Sequence, residues 1–281
     1  MWGVKLFSGT LILIVIALLV VGISDSIVLS DYQDMAPVPL SALKTGDIFL
    51  GFNDFSRFEN RTQANLFFSA HSVVTQRQFT HLGIVYVDKN YEPSNPRRYY
   101  VWNISCVPWN NPAVMKYEWA QLGSRMMPLA GMCALYQFCC ITPVKREIDN
   151  KRLESIMAGH DDTHRNMARS APHYLYRGMK AFLDPNKPDT ENDKLFCTDI
   201  AERIMREAGV FRSKQSVVLA PDLYIGEDGK SKKIEYAPGQ GLCPTRRLYV
   251  DKESPTGRNI LKLMKEFGFD REYEEDLLFM K

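Results

Sequence analysis

The residue best suited to nucleophilic chemistry in this sequence is Cys197. The apolar residues that follow it with helical spacing are Ile200, Ala201, Ile204, Met205 and Ala208, and the charged residues on the opposite side are Glu202, Arg203, Arg206 and Glu207. This period predicts an amphipathic helix that begins near the cysteine and stops at Gly209. Unpaired backbone N–H groups and the helix dipole stabilise a thiolate in the first turn of a helix. Cys197 is therefore a candidate nucleophile, and the alternative interpretation is a small buried apolar side chain.

A thiolate nucleophile needs a base, and the clearest predicted strand of the chain contains a histidine near its start. Residues 80–87 are rich in β-branched and aromatic side chains and end at a turn, and residues 98–105 have the same character. The two segments are therefore predicted to pair as an antiparallel hairpin. If Val87 pairs with Tyr99, the register fixes which residues lie beside the histidine.

In this register His81 and Gly83 share one side of their strand. Ser105 lies opposite His81, and Asn103 lies opposite Gly83, where a diagonal neighbour is within reach of the histidine. One polar residue from each strand can therefore converge, with the glycine leaving room between them. His81 is the candidate base, and the alternative is a solvated or hydrogen-bonded histidine at a strand end.

Four short motifs follow one another along the chain. They are Lys44-Thr-Gly-Asp-Ile-Phe-Leu, Thr80-His-Leu-Gly-Ile-Val-Tyr, Phe196-Cys-Thr-Asp-Ile-Ala-Glu-Arg and Leu219-Ala-Pro-Asp-Leu. Their order resembles the circularly permuted branch of the NlpC/p60 papain-like superfamily, where a Gly-Asp strand comes first, the histidine strand second and the cysteine helix near the end. Lecithin:retinol acyltransferase-like enzymes and a group of poxvirus proteins belong to the same branch. The resemblance covers about residues 41–225.

The resemblance implies acyl transfer through a thioester formed on the protein. Cys197 would be the nucleophile and His81 the general base. Asn103 would take the third polar position, where bacterial members usually carry glutamate, because an asparagine can orient an imidazole through its carbonyl oxygen. Ser105 is the second choice for this position, and Tyr174 matches a tyrosine that lines the site in this family. The substrate would be a peptide or another amide, ester or thioester, and the chemistry needs neither a metal nor a cofactor.

The pattern of elements predicts one α+β domain of the permuted papain-like kind, with an antiparallel sheet and a nucleophile helix. The predicted divisions are an N-terminal transmembrane anchor (1–25), an irregular tether (26–40), the papain-like domain (41–225) and a C-terminal extension packed on or beside it (226–281). Other predicted elements are a strand within 43–51, a strand at 134–142 reached through a loop, helices at 150–168 and 173–182, a strand at 247–250 and a helix at 259–267. The extension could cover the cleft, extend the sheet or hold a protein partner.

Residues 6–23 carry no charge and are long enough to cross a lipid bilayer as a helix. Lys5 before them and three aspartates after them favour a single-pass membrane anchor with its N-terminus in the cytoplasm. A cleaved signal peptide is the alternative. Residues 126–144 also lack charge, but two prolines, a glycine and a glutamine within them argue against a second span.

Composition bears on partners and on the compartment. A net charge of +2 gives no electrostatic reason to expect nucleic-acid binding. The six cysteines show no CxxC spacing, and a free Cys197 would leave an odd number, which favours a reducing environment over a disulfide framework. The predicted orientation would instead place the body outside the cytoplasm or in a lumen, so the compartment stays open.

Two rival functions are compatible with the sequence. His160 and His164 lie four apart on a predicted helix, a spacing that zinc hydrolases use, although a solvated helix face is the preferred interpretation. A non-enzymatic, membrane-tethered structural or docking protein, for example of a membrane-containing virus particle and its inner membrane, would suit the anchor, the extension and the missing glutamate. The intact cysteine and histidine favour the enzyme.

Overall fold

The computed structural model describes residues 32, 34–52, 81–105, 123–136, 138–160, 197–212, 223–229, 234–268 and 277–279. The strands are β1 (Pro37–Pro39), β2 (Ile48–Phe52), β3 (His81–Val87), β4 (Tyr99–Ser105), β5 (Gly123–Pro128), β6 (Phe138–Thr142) and β7 (Arg246–Tyr249). The α-helices are α1 (Leu129–Leu135), α2 (Asn150–Gly159), α3 (Cys197–Glu207) and α4 (Pro255–Glu266). The predicted α+β class is confirmed.

The strands form one sheet in the order β1-β7-β6-β2-β3-β4-β5. The pairing of β1 with β7 is parallel, whereas the other neighbours are antiparallel. The sheet is therefore mixed, and the prediction of an antiparallel sheet was wrong at this edge. A parallel pair needs a long connection, and here almost the whole chain lies between the two strands.

Side chains of β3 alternate between two apolar layers because successive residues of a strand point to opposite faces. Leu82, Ile84 and Tyr86 pack with apolar residues of α2 and α3, which defines the α3 face of the sheet. Val85 and Val87 pack with apolar residues of α1 and α4, which defines the α1 face. Helices thus cover the sheet on both sides.

The predicted hairpin is present with the predicted register. Val87 pairs with Tyr99, and Gly83 pairs with Asn103. Directly beyond the pair of Val87 and Tyr99, the Asp88 N–H donates to the Arg98 carbonyl (2.8 Å). The assumed pairing of Val87 with Tyr99 is therefore confirmed.

Helix α3 ends at a glycine, as predicted. Gly209 has a φ of 76°, a left-handed conformation that a glycine adopts without a steric cost. The Val210 N–H donates to Met205 O (2.8 Å) and the Gly209 N–H donates to Arg206 O (2.9 Å). These two bonds form a Schellman motif, which satisfies the last carbonyls of the helix.

Glu202 does not follow the predicted pattern of helix α3. The residue is 4% exposed rather than lying on an open polar side. Its carboxylate accepts a hydrogen bond from Arg206 Nε at 3.2 Å, one helical turn later. The helical spacing predicted which residues form the apolar stripe. It did not show that neighbouring elements also bury residues beside this stripe.

The segment predicted as an irregular tether contains a strand. Tyr32 is buried and its hydroxyl donates to Cys139 O at 3.1 Å, and residues 37–39 pair with β7. Prolines at both ends of this three-residue strand suggested a loop, yet a short strand at the sheet edge tolerates them. Residues 1–31, including the predicted anchor at 6–23, lie outside the described residues. Among the described residues, no helix has the length and apolar character needed to cross a membrane.

The charge-free segment at 126–144 contains two elements that the sequence did not indicate. Residues up to Pro128 belong to β5, and α1 follows directly, so the predicted loop was wrong. Six of the seven residues of α1 are buried, and a short helix buried on every side shows no amphipathic period. The strand predicted at 134–142 is present as β6, although it begins only at Phe138.

The C-terminal segment extends the sheet. The strand predicted at 247–250 is β7, which lies between β1 and β6, and the helix predicted at 259–267 is α4. Helix α4 packs against α1 on the α1 face. The helix predicted at 150–168 begins as predicted, and α2 extends to Gly159. The part beyond His160 and the helix predicted at 173–182 lie outside the described residues.

Candidate active site

The described part of helix α3 begins at Cys197, and the residues before it lie outside the described part of the chain. The side chain of Cys197 is half-buried and packs against the apolar layer of the α3 face. Helix α3 packs across β3 and β4. The N–H groups of a first helical turn have no acceptor within the helix, so they can stabilise negative charge beside the sulfur.

The last residue of helix α3 and the last residue of strand β3 both accept hydrogen bonds from the first turn of α2. Arg152 Nη2 donates to the carbonyl oxygen of Glu207 at 2.9 Å. Asn150 Nδ2 donates to the carbonyl oxygen of Val87, also at 2.9 Å. The first residues of the two elements, the cysteine and the histidine, therefore lie towards the same end of the sheet.

The imidazole of His81 lies on the α1 face, across the sheet from the cysteine. His81 pairs with Gly51 of β2, and strand alternation places its side chain on the side of Val85. Its ring stacks on the ring of Tyr136, with centroids 5.4 Å apart and planes 3° from parallel. Tyr136 belongs to the apolar layer of the α1 face, whereas Cys197 packs on the other layer. The structure therefore brings the two predicted catalytic residues to one end of the sheet but not together.

The contact between His81 and Tyr136 depends on a glycine. A Cβ atom at Gly51 would lie 2.7 Å from Tyr136 Cγ and 2.9 Å from Phe49 Cε1. The Tyr136 ring therefore occupies the space that a side chain at this position would need. Cys139 lies on the other side of Gly51 in the sheet, and its Sγ contacts Tyr136 O at 3.5 Å. Sequence reasoning missed this group because the order of β6, β2 and β3 brings together residues that are distant along the chain.

The other predicted site residues are placed only in part. Asn103 pairs with Gly83, so its backbone is diagonal to His81 as predicted. Ser105 is the last residue of β4 and pairs with Gly123. The side chains of Asn103 and Ser105 lie outside the described part of the chain, as does the whole of Tyr174.

The aspartate of the Gly-Asp motif is a structural residue. Asp47 is 1% exposed, and its carboxylate accepts hydrogen bonds from the N–H groups of Lys44 (2.8 Å) and Val144 (2.9 Å). Its backbone carbonyl accepts from Val85 N at 2.7 Å. Burial raises the pKa of this carboxyl to about 6, against the lowering effect of the two backbone hydrogen bonds. Asp47 thereby ties the start of β2 to both β3 and the end of β6.

His160, the first histidine of the rival zinc-site interpretation, contacts a carboxylate. His160 Nε2 lies 3.2 Å and 3.3 Å from the two carboxylate oxygens of Glu207, and the residue is buried rather than solvated. His164 lies outside the described residues. In the part of the chain that the structure describes, three or more histidine, cysteine, aspartate or glutamate residues do not cluster as metal ligands would.

A comparison with known protein families and with curated proteins finds no match to this chain.

Proposed function

We propose that the protein is a membrane-anchored cysteine hydrolase or acyltransferase on a permuted papain-like fold, which acts on an amide, ester or thioester. One observation carries the proposal. A helix that begins at Cys197 packs across a strand that begins at His81, and both residues lie towards the same end of the sheet. The strand order β2-β3-β4 also follows the Gly-Asp strand, histidine strand and third polar strand of the resemblance.

The reaction proceeds through a covalent intermediate. The Cys197 thiolate attacks the carbonyl carbon, a C–S bond forms, and the backbone N–H at the start of α3 donates to the developing oxyanion. The His81 imidazolium then gives its proton to the leaving group as the bond to that group breaks. Water or another acceptor attacks the thioester while the imidazole takes its proton, and the thiolate is released. Asn103, with Ser105 as the alternative, orients the imidazole, and Tyr174 lines the site.

The proposal requires the imidazole of His81 to reach the α3 face. In the structure the imidazole lies on the α1 face, stacked on Tyr136. The movement separates the imidazole from Tyr136. Catalytic hydrogen bonds are often incomplete before substrate binds, and closure on substrate is a common way to assemble such a pair.

Labelling of thiols in the full chain tests the proposal. In a Cys243→Ser background, which removes the other half-buried cysteine among the described residues, an iodoacetamide reagent is expected to label Cys197 fast at pH 6.5. An ordinary thiol, with a pKa of about 8.5, is mostly protonated at this pH. His81→Ala should slow the labelling about tenfold or more, because it removes the imidazole that forms an ion pair with the thiolate when it reaches the α3 face. Peptide mapping by mass spectrometry identifies the labelled residue.

His160→Ala is the matched control, since it removes a histidine at the opposite end of α3, where the side chain contacts Glu207. It should leave the labelling rate at Cys197 unchanged. Slow labelling that is spread over several cysteines and indifferent to His81 would contradict the proposal.

The second candidate function is a membrane-tethered structural or docking protein, for example of a virus particle. The position of the His81 ring on the α1 face favours it, because this position separates the imidazole from the thiol. Its protein partner would bind the C-terminal segment, where Lys262 and Lys265 of α4 are exposed. Indifference of Cys197 labelling to His81→Ala is the result that this function predicts.

A further inference from the structure

The chain makes a tight turn before it enters β7. The Gln240 N–H donates to Ala237 O at 2.9 Å across this turn. Pro238 in the second position and Gly239 in the third, with a φ of 74°, are typical of a type II turn. The left-handed conformation favours a glycine at the third position. We call residues 237–241 the glycine turn, and its two glycines leave the backbone open to side chains from elsewhere.

The glycine turn lies against the loop that follows β6. Two backbone hydrogen bonds, of 2.7 and 2.8 Å, join residues 241–243 to residues 143–145. The last residue of β6, Thr142, pairs with the first residue of β2, whereas His81 pairs with Gly51 near the other end of β2. The glycine turn is therefore at the opposite end of the sheet from the candidate active site.

Two cationic side chains of this loop lie on the glycines of the turn. A Cβ atom at Gly241 would lie 3.0 Å from Lys145 Cε and 3.3 Å from Lys145 Nζ. A Cβ atom at Gly239 would lie 3.2 Å from Arg146 Nη2 and 3.3 Å from Arg146 Cζ. Each cation thus occupies the space that a side chain at the glycine would need. The ammonium and the guanidinium are thereby held against positions only two residues apart.

The described part of the chain supplies no negative charge to these two cations. The acidic residue next to them, Glu147, has its carboxylate bound by Lys89 Nζ at 2.8 Å. Neither Lys145 nor Arg146 forms an ion pair with a described carboxylate. Between the two glycines, Gln240 Oε1 is buried without a hydrogen-bond partner. Buried polar atoms are normally paired, and an unpaired one often marks a bound water, ion or ligand.

We propose that the glycine turn, with Lys145 and Arg146, is a binding site for a phosphate monoester group. The planar guanidinium can donate to two phosphate oxygens and the ammonium to a third. A phosphate that carries a proton can also donate to Gln240 Oε1. A soluble phosphate ester and a lipid headgroup of the phosphatidic acid kind both offer this chemistry. The inference does not depend on the proposed function, because the site contains neither Cys197 nor His81.

Protection of Lys145 from acetylation tests the proposal in the full chain. Inorganic phosphate, compared with chloride at the same ionic strength, should slow acetylation of Lys145 by sulfo-N-hydroxysuccinimide acetate about threefold or more, because bound phosphate holds the amine in its charged, unreactive form. Lys262 is an exposed lysine of α4 and should react at the same rate in both salts. Peptide mapping by mass spectrometry measures both rates in one sample.

Three variants show whether the protection comes from the proposed site. Arg146→Gln should abolish it, since the guanidinium is lost. Arg97→Gln is the matched control, because it removes an exposed arginine before β4, and should retain it. Gly241→Ala keeps every charge but adds a methyl group 3.0 Å from Lys145 Cε, so the lysine side chain must move and the protection should weaken. A general attraction of phosphate to positive charge would not respond to this last change.

Lipid nanodiscs distinguish the two sources of the phosphate group. In phosphate-free buffer, nanodiscs that contain phosphatidic acid should protect Lys145 more than nanodiscs of phosphatidylcholine alone if the group belongs to a lipid. Protection by dissolved phosphate but not by phosphatidic acid would assign the site to a soluble ester. The proposal is overturned if neither protects Lys145, if Lys262 is protected equally, or if the protection survives Arg146→Gln.

Discussion

Gly257→Ala is expected to lower the free energy of unfolding by about 3 kcal/mol or more, although alanine in a helix interior is usually better than glycine by up to about 1 kcal/mol. A Cβ atom at Gly257 would lie 1.8 Å from the backbone carbonyl oxygen of Asp251. A backbone carbonyl group cannot rotate out of the way as the end of a flexible side chain can. The same carbonyl accepts from the Ser254 hydroxyl (2.7 Å), which in turn caps α4 by accepting from the Gly257 N–H at 3.0 Å. The first turn of α4 must therefore move, and its packing on α1 moves with it.

Gly159→Ala is the control for this prediction. Gly159 is the exposed last residue of α2, and a Cβ atom there would meet nothing within 4 Å. This change should leave stability unchanged or raise it by up to about 1 kcal/mol. Denaturant unfolding of both variants measures the difference. Equal effects of the two changes would mean that α4 does not approach the Asp251 carbonyl as described.

Asp47→Ala should lower the free energy of unfolding by about 2–3 kcal/mol at pH 7. The change leaves the N–H groups of Lys44 and Val144 without their acceptor, and each buried group left unpaired costs about 1–3 kcal/mol. Part of this loss is offset because the variant no longer pays the desolvation free energy of a buried, ionised carboxylate. Asp149→Ala is the matched control, since it removes an exposed aspartate that caps α2 by accepting from Arg152 N, and should cost about 1 kcal/mol. Urea unfolding measures both, and equal losses would contradict the burial of Asp47.

The effect of Asp47→Ala should grow as the pH falls from 7 to 4. The pKa of this carboxyl is raised in the folded protein, from an ordinary value of 3.8 to about 6. Because the folded state binds the proton more tightly, protonation of Asp47 adds to stability. This added part is fully present below about pH 3.8 and is lost as the pH rises through about 6, where the loss given above for pH 7 remains. Subtracting the unfolding free energies of wild type and variant at each pH isolates this group. A difference that shrinks towards pH 4 would contradict the raised pKa.

The local parts of the fold could be predicted from the sequence. The antiparallel hairpin followed from alternation and from the turn between Val87 and Tyr99, and the helix from Cys197 to Gly209 followed from its apolar period and its glycine. Each of these signals depends on neighbours along the chain. The α1 helix and the short β1 strand gave no such signal, because the first is buried all round and the second is three residues long and contains two prolines.

The candidate site could be predicted only in its parts. Alternation showed that His81 shares a side with Gly83 and Val85, and the structure agrees. It could not show which side of the sheet helix α3 covers, since that depends on the path of the chain between the strands and the helix. Tyr136 was missed for the same reason, because its contact with the histidine depends on the order of the strands.

The parallel pairing of β1 with β7 has a consequence for how the chain folds as it is made. Arg247 Nε donates to Met35 O across 212 positions of sequence, and the Arg247 N–H donates to Ala36 O. The N-terminal strand therefore leaves the ribosome long before its partner, and contacts between such distant residues form slowly. Until β7 has been synthesised, the outer edge of β6 is unpaired and the apolar side chain of Val38 is exposed. The unpaired strand edge can then form a ladder with another chain. A chain that stops before Arg246 is thus expected to aggregate during synthesis, whatever the state of the rest of its sheet.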